Sequence, residues 1–107
     1  MFNTIDRNKL KKKIDNKEQF TLVEVLDSSE YKKGHLPGAI NIPLEEIGKQ
    51  AKEKLNPDDE IVVYCSSFSC GSSPAAAKKL EKLGFDNVYD YEGGKKDWQD
   101  AGYELKK

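Results

Sequence analysis

The hydrophobic positions along the chain follow two spacings, one typical of buried strands and the other typical of amphipathic helices. Short runs rich in β-branched and aromatic residues predict strands at residues 20–26, 39–42, 60–64 and 87–91. Apolar residues at helical spacing predict helices at residues 6–15, 44–55, 74–83 and in a last segment that contains Trp98. One helical turn is predicted at residues 28–33, with Gly34 as its C-cap.

Strands that alternate with helices predict an α/β fold with a central, mostly parallel β-sheet and helices on both faces. A length of 107 residues fits one domain, so we predict a single domain over residues 1–107. In sheets of this kind ligands bind beyond the carboxyl ends of the strands. Cys65 stands at such an end, directly after the predicted strand at residues 60–64.

Cys65 begins a stretch whose chemistry follows from its place between a strand and a helix. A loop of small polar residues leads to the helix at residues 74–83, where Ser72 or Ser73 is expected to cap and Pro74 suits the first turn. The helix dipole should lower the pKa of the Cys65 thiol and favour the attacking thiolate. We therefore predict that Cys65 is an accessible catalytic nucleophile.

The loop after Cys65 is predicted to bind the substrate through its backbone N–H groups, which can form a nest for an anion. Its predicted binding residues are Ser66, Ser67, Phe68, Ser69 and Gly71. Phe68 is the aromatic residue of this polar loop. It either packs inward or projects over the site, and projection would favour an apolar or protein acceptor.

Composition excludes several classes of function. The 18 basic and 19 acidic residues nearly cancel, so no global field favours nucleic acid, and the lysines near residues 9–13 fit a solvated helix face. No run resembles a signal peptide or a membrane span, which predicts a cytoplasmic protein without a membrane partner. One His and two Cys are too few for a closed zinc site, so neither a metal nor another cofactor is predicted.

Four separated segments resemble the rhodanese homology domain family. Residues 22–26 and 30–43, the latter reading Glu-Tyr-Lys-Lys-Gly-His-Leu-Pro-Gly-Ala-Ile-Asn-Ile-Pro, look like its first signature. Residues 61–65, Ile-Val-Val-Tyr-Cys, resemble the strand that ends in its catalytic Cys. Residues 83–89, followed by Glu-Gly-Gly at 92–94 and Trp-Gln-Asp-Ala-Gly-Tyr at 98–103, are similar to its closing segment. The resemblance covers nearly the whole chain and implies a single rhodanese-like domain.

The resemblance implies a sulfurtransferase that works through a Cys65 persulfide. The small sulfur donor would be thiosulfate or a persulfide, and the acceptor would be cyanide, a thiol or a protein. Two departures from the family pattern stand out. Leu26 occupies a position where Arg is common, and the loop at residues 66–71 has no basic side chain to bind a charged oxyanion. Gly71 stands where the related phosphatases have their phosphate-clamping Arg, which disfavours that activity.

Cys70 has two possible roles, and together with Cys65 it allows three possible functions for the protein. As a resolving thiol it would attack a Cys65 persulfide and form a Cys65–Cys70 disulfide, whereas as a structural residue it would only fill the base of the loop. The leading interpretation is therefore sulfur transfer, with a dithiol redox protein as the first alternative. A non-catalytic binding module is the second, and an accessible Cys65 argues against it. For two cytoplasmic Cys residues, free thiols or a redox pair are expected rather than a structural disulfide.

Other candidate residues receive structural interpretations. His35 lies between turn residues, so we expect it to stabilise the turn rather than to transfer protons. Trp98 and Tyr103 are expected in the core. Asp27 and Glu92 are the carboxylates expected near the rim of the site, without a chemical step assigned to either.

Overall fold

A computed structural model describes residues 2–107 and shows a five-stranded sheet in which every strand pair is parallel. The strands are β1 (Asn3–Thr4), β2 (Thr21–Glu24), β3 (Ile40–Asn41), β4 (Ile61–Tyr64) and β5 (Val88–Tyr91). Their order across the sheet is β1-β5-β4-β2-β3, which places β4 at the centre. The predicted α/β class and parallel sheet are confirmed.

Five α-helices connect and cover the strands. They are α1 (Arg7–Asp15), α2 (Ser28–Lys33), α3 (Ile47–Lys54), α4 (Ser72–Lys82) and α5 (Gly94–Asp100), with a short 3-10 helix at Leu44–Glu46 before α3. The Asp6 side chain caps α1 by accepting a hydrogen bond from the Lys9 N–H at 2.8 Å. Gly34 is the C-cap of α2, as predicted.

The sheet is covered on both faces. On one, Leu10 of α1 and Trp98 of α5 pack with Val62, and we call this the α1/α5 face. On the other, apolar residues of α3 and α4 such as Ala51 and Ala77 pack on the sheet, and we call this the α3/α4 face. Side chains alternate along a strand, so Val62 and Tyr64 of β4 point to the α1/α5 face. Ile61 and Val63 point to the α3/α4 face, as does Cys65 directly after the strand.

Some predicted boundaries were wrong. β1 was not predicted, because two exposed residues carry no periodic signal; it exists through its pairing with β5. The strand predicted at residues 20–26 is regular only over Thr21–Glu24. The helix predicted at residues 44–55 begins as a 3-10 turn after Pro43, whose carbonyl accepts a hydrogen bond from the Glu46 N–H at 2.8 Å.

Candidate active site

Cys65 lies immediately beyond the carboxyl end of the central strand, on the α3/α4 face, and its side chain is fully buried. A disulfide bond joins it to Cys70, with 6.4 Å between the two Cα atoms. The loop curls to make this possible, because the Cys70 N–H donates to the Ser67 carbonyl at 3.1 Å. The expectation of an accessible Cys65 is therefore wrong for this oxidised form, since Cys70 lies over it.

The loop at residues 66–71 is polar and uncharged, and most of it is exposed. Ser67 and Ser69 share a hydrogen bond of 3.0 Å between their hydroxyl groups. Phe68 is 72% exposed, so the projecting alternative for this side chain is the observed one. It borders a groove of about 360 Å³ that Arg7, Tyr91 and Glu92 also line.

The N-terminus of α4 faces the Cys65 sulfur without a capping side chain. The helix begins at Ser72, and its N-cap is Gly71, which makes no side-chain hydrogen bond. The prediction that Ser72 or Ser73 caps the helix was wrong, because both lie inside it and the Ser73 hydroxyl turns inward to 3.6 Å from the Cys65 sulfur. Pro74 does lie in the first turn, as predicted.

The start of α5 is packed against the backbone of Cys65. The Lys95 N–H donates to the Cys65 carbonyl at 3.1 Å, and the Lys96 N–H donates to the Ser66 carbonyl at 2.9 Å. Gly94 has φ +63°, and a Cβ there would collide with the Cys65 carbonyl oxygen. The sequence predicted a turn glycine; the structure gives Gly94 the additional role of letting α5 approach the loop.

A buried acidic cluster supports the site from the α1/α5 face. Glu24, at the end of β2, is fully buried and accepts a hydrogen bond from the Tyr64 hydroxyl at 2.8 Å. The Lys95 ammonium lies 3.0 Å from its other oxygen, as an ion pair rather than a well-directed hydrogen bond. The Tyr64 oxygen also accepts from the Leu36 N–H at 3.1 Å, and Lys95 donates to the Glu30 carbonyl at 2.7 Å. These contacts join β2, β4 and α5 behind Cys65.

Burial dominates the electrostatics of this cluster. It raises the pKa of Glu24, while the contacts with Lys95 and Tyr64 act in the opposite direction. Burial, together with the neighbouring Glu24, also raises the pKa of Tyr64, so this hydroxyl stays protonated and donates. The cationic partner of Glu24 is thus Lys95, and the residue at position 26, an uncharged Leu, contributes no charge to the cluster.

Asp90 is a second buried carboxyl group, and it lies on the same face as Cys65. It pairs in register with Val63 of β4, two residues before Cys65, and it is fully buried. Burial raises its pKa, the Ser73 hydroxyl lowers it, and Glu92 raises it. Within residues 2–107 neither carboxyl oxygen has a partner of good hydrogen-bond geometry. Sequence reasoning missed Asp90, although an Asp inside an apolar strand is an unusual choice that could have flagged it.

The remaining candidates take structural positions. The His35 ring stacks on Tyr31 with 4.0 Å between ring centroids, and its Nδ1 lies 3.1 Å from the Tyr31 carbonyl, as expected for a residue that stabilises a turn. Asp27 caps α2, and hydrogen bonds from the Ser29 hydroxyl and the Glu30 N–H lower its pKa. Trp98 is buried, as predicted.

The described part of the chain has neither a metal-binding cluster nor a membrane-spanning helix. Among residues 2–107 no group of three or more His, Cys, Asp or Glu side chains is placed to hold a metal ion. In the same range, every helix is too short or too polar to cross a bilayer. The described residues do bring together two cysteine sulfurs, bonded to each other beside the N-terminus of α4.

Similarity to known proteins agrees with this geometry. Bacillus subtilis has a putative sulfur carrier protein, YrkF, that is 40% identical over 88 residues; the match covers 82% of this chain and 46% of YrkF. The thiosulfate sulfurtransferase GlpE of Pseudoalteromonas translucida is 31% identical, with 80% and 79% of the two chains covered. The chain spans about half the length of YrkF and less than two thirds of two further curated relatives.

Solved structures show the same fold. A crystal structure of a Bacillus halodurans protein matches with a TM-score of 0.91 and 30% identity, covering 97% of this chain and 76% of the other. The rhodanese-like domain of an Anabaena protein, solved by NMR, gives a TM-score of 0.88 at 29% identity, covering 99% and 80%. The rhodanese-like domain model matches residues 6–101. The chain therefore belongs to the rhodanese-like domain family.

Proposed function

We propose that this protein is a sulfurtransferase in which reduced Cys65 carries sulfane sulfur as a persulfide. The observation that supports this most is the position of Cys65, which lies at the end of the central strand and against the uncapped N-terminus of α4. A helix N-terminus favours negative charge, and both the attacking thiolate and the product persulfide are anions.

Sulfur transfer can proceed with Cys65, a sulfur donor and an acceptor as the only reacting groups. The Cys65 thiolate attacks the outer sulfur of a donor such as thiosulfate, an S–S bond forms, and sulfite leaves with the electron pair of the broken bond. An acceptor thiolate or cyanide then attacks the outer sulfur of the Cys65 persulfide. The transferred sulfur leaves with the acceptor, and the Cys65 thiolate is regenerated.

Cys70 is proposed as a resolving thiol. Its thiolate would attack the inner sulfur of the Cys65 persulfide, release hydrosulfide and leave the Cys65–Cys70 disulfide. That bond is the one present in the structure, so the loop needs no rearrangement to accommodate the product. A thiol reductant must then open the disulfide before another cycle.

The loop also supports a proposal about the donor. It carries no cation, the nearby Asp90 and Glu92 are acidic, and the Arg7 side chain of the adjoining groove is paired with Asp97. Thiosulfate brings two negative charges, whereas an alkyl persulfide brings at most one. We therefore expect faster loading from such a persulfide than from thiosulfate. The exposed Phe68 gives an apolar or protein acceptor a surface to contact.

A dithiol redox function is the second candidate, because the disulfide observed here is what such a protein would cycle. The two functions differ in their need for Cys70. Sulfur loading requires only Cys65, whereas a dithiol cycle requires both thiols.

The test is intact mass after incubation of fully reduced protein with thiosulfate or with an alkyl persulfide. The parent chain, Cys65→Ser and Cys70→Ser are compared, with excess donor removed before measurement. We expect Cys70→Ser to gain one sulfur atom and Cys65→Ser to gain none. In the parent chain, some of the product should instead appear as the disulfide, whose mass is lower than that of the reduced protein by two hydrogen atoms.

Two results would contradict sulfur transfer. If the parent chain only loses two hydrogens and Cys70→Ser gains nothing with either donor, the dithiol function is the better account. If no chain changes mass, a non-catalytic binding module is favoured. Released hydrosulfide, measured alongside, separates resolution of a persulfide from simple oxidation of the two thiols.

A further inference from the structure

Three polar groups converge beneath the active-site loop, on a face that is otherwise apolar. Ser73, Ala76, Ala77 and Leu80 form the buried stripe of α4, so Ser73 is the one polar residue of that stripe. Opposite it, Asp90 follows the apolar Val88 on the same face of β5. Cys65 completes the group, since its sulfur lies 3.6 Å from the Ser73 hydroxyl oxygen.

The register of the sheet brings Asp90 toward Cys65. Asp90 pairs with Val63 across parallel strands, and Val63 and Cys65 point to the same face. The Ser73 hydroxyl lies 3.6 Å from the Cys65 sulfur and is close enough to Asp90 to lower the pKa of its carboxyl, although no well-formed hydrogen bond joins the two. Chance placement of an acid here would be costly, because a buried polar group without good partners is destabilising.

We propose that Asp90 is a positioning residue for Cys65 and that, through the Ser73 hydroxyl, it holds the proton that the Cys65 thiol gives up on becoming a nucleophile. The Cys65 S–H donates to the Ser73 oxygen, and the Ser73 O–H donates to the Asp90 carboxylate. As the thiol proton moves to Ser73, the Ser73 proton moves to Asp90. One negative charge passes from Asp90 to Cys65, and no proton leaves the site.

The oxidised form explains why the first hydrogen bond of this chain, from Cys65 to Ser73, is absent in the structure. The Cys65 sulfur carries no hydrogen while it is bonded to Cys70, so it has nothing to donate to Ser73. Separately, the contact between Ser73 and Asp90 does not reach good hydrogen-bond geometry. Reduction supplies the missing hydrogen.

The surroundings of Asp90 favour its taking the proton. Burial and the neighbouring Glu92 raise the pKa of its carboxyl, which makes it a better proton acceptor than an exposed Asp. Beyond the Ser73 hydroxyl and Cys65, the group in register on β1 is Thr4, which has no charge. The loop contributes no cation that would compete by stabilising the carboxylate.

This inference deepens the proposed function, but its test requires no sulfur transfer. The parent for the test is the reduced Cys70→Ser chain, in which Cys65 is the single thiol. Its rate of alkylation by iodoacetamide and its thiolate absorbance are followed from about pH 5 to 9, a range that covers the titration of a perturbed thiol. The variants are Asp90→Asn, Ser73→Ala and Ser73→Thr, and the matched control is Asp86→Asn, which removes an exposed carboxylate two residues before the same strand.

We expect two steps in the pH profile of the parent, because the coupled pair loses its protons in two stages. Asp90→Asn and Ser73→Ala should each lose the acid-side step, with alkylation near pH 6 lowered by about tenfold. Ser73→Thr keeps the hydroxyl and should retain that step, as should Asp86→Asn. Combining Asp90→Asn with Ser73→Ala should add nothing further.

Faster rather than slower alkylation of Asp90→Asn near pH 6 would overturn the proposal. If Asp90 acted only as a nearby negative charge, Asp90→Asn would raise the thiolate fraction and speed alkylation near pH 6. An unchanged profile in Asp90→Asn would overturn it equally. Circular dichroism of each variant shows whether the fold is kept, and Ser73→Ala provides an independent break of the same relay if Asp90→Asn does not fold.

Discussion

Two buried carboxyl groups flank the central strand β4, and they differ in how their oxygens are satisfied. Glu24, on β2, faces α1 and α5 and has the Tyr64 hydroxyl on one oxygen and the Lys95 ammonium beside the other. Asp90, on β5, faces α3 and α4 and has no well-formed hydrogen bond within residues 2–107. Both are fully buried, so burial alone does not distinguish them.

The difference indicates two roles. A buried acid whose partners are in place fixes the elements that supply those partners, and Glu24 fixes β2, β4 and α5 in this way. A buried acid without such partners keeps its capacity to bind a proton, and strongly perturbed groups of this kind concentrate at functional sites. The cluster around Glu24 thus belongs to the scaffold, whereas Asp90 belongs to the chemistry of Cys65.

The largest expected effect comes from removing the cation beside Glu24. Lys95→Met leaves a buried carboxylate with one hydrogen bond and no counter-charge, which should lower the free energy of unfolding by about 3–5 kcal/mol. Because burial already raises the pKa of Glu24, the loss should grow with increasing pH as the unpaired acid is forced to ionise. Urea denaturation of the oxidised protein at several pH values measures both effects.

Lys96→Met is the matched control. Lys96 is the next residue of α5, also donates its backbone N–H to the loop, and forms only an exposed ion pair with Asp100. We expect a change of about 0.5 kcal/mol or less. Equal losses in the two variants would show that the ion pair with Glu24 is not what holds the scaffold.

A smaller effect is expected when the scaffold cluster loses a neutral partner. Tyr64→Phe removes the hydroxyl that donates to Glu24 and accepts from the Leu36 N–H, leaving two buried groups unpaired. The free energy of unfolding should fall by about 2 kcal/mol. Tyr89→Phe, on the neighbouring strand, is the control and should change it by about 0.5 kcal/mol or less. The comparison fails if both variants unfold at the same urea concentration.

The fold was predictable because periodicity reports which face of an element is buried. The runs that became β2, β4 and β5 and the amphipathic pattern of α4 were all visible in the sequence. β1 was not, since a strand of two exposed residues has no pattern of its own and depends on its neighbour. Short elements of this kind are determined by tertiary contacts.

The site was predictable only as far as chain order determines it. The position of Cys65 between a strand and a helix followed from sequence, but Ser73 was read as a cap because Ser favours helix ends. The Ser73 hydroxyl instead turns inward toward Cys65, a contact across the loop that helix-end statistics do not report. The roles of Lys95 and Gly94 likewise arise from the packing of α5 on the Cys65 loop, which one sequence does not encode locally.

The smallest effect, and the one with the opposite sign, is expected for Asp90→Asn in the oxidised protein. Burial raises the pKa of Asp90 above its ordinary value of 3.8, so the folded protein holds this proton more tightly than the unfolded chain does. Between those two values the unfolded chain binds fewer protons, and stability therefore falls as pH rises. Asn avoids that cost, so we expect Asp90→Asn to be about 1 kcal/mol more stable at neutral pH.

The gain should shrink as the pH falls toward the ordinary Asp pKa of 3.8, because the raised pKa of Asp90 lets the folded parent take up this proton and lose its buried charge. In the oxidised form Cys65 is in a disulfide and does not titrate, so the pH dependence of the free energy of unfolding reports on the carboxyl groups. Asp86→Asn is the control and should show no such pH-dependent gain, because Asp86 is exposed. If Asp90→Asn is instead destabilising at neutral pH, the Asp90 carboxylate has a structural partner like that of Glu24, and the two clusters do not differ in kind. A stabilising result means that the wild-type chain keeps an acid at position 90 despite its cost, which is the usual signature of a group retained for function.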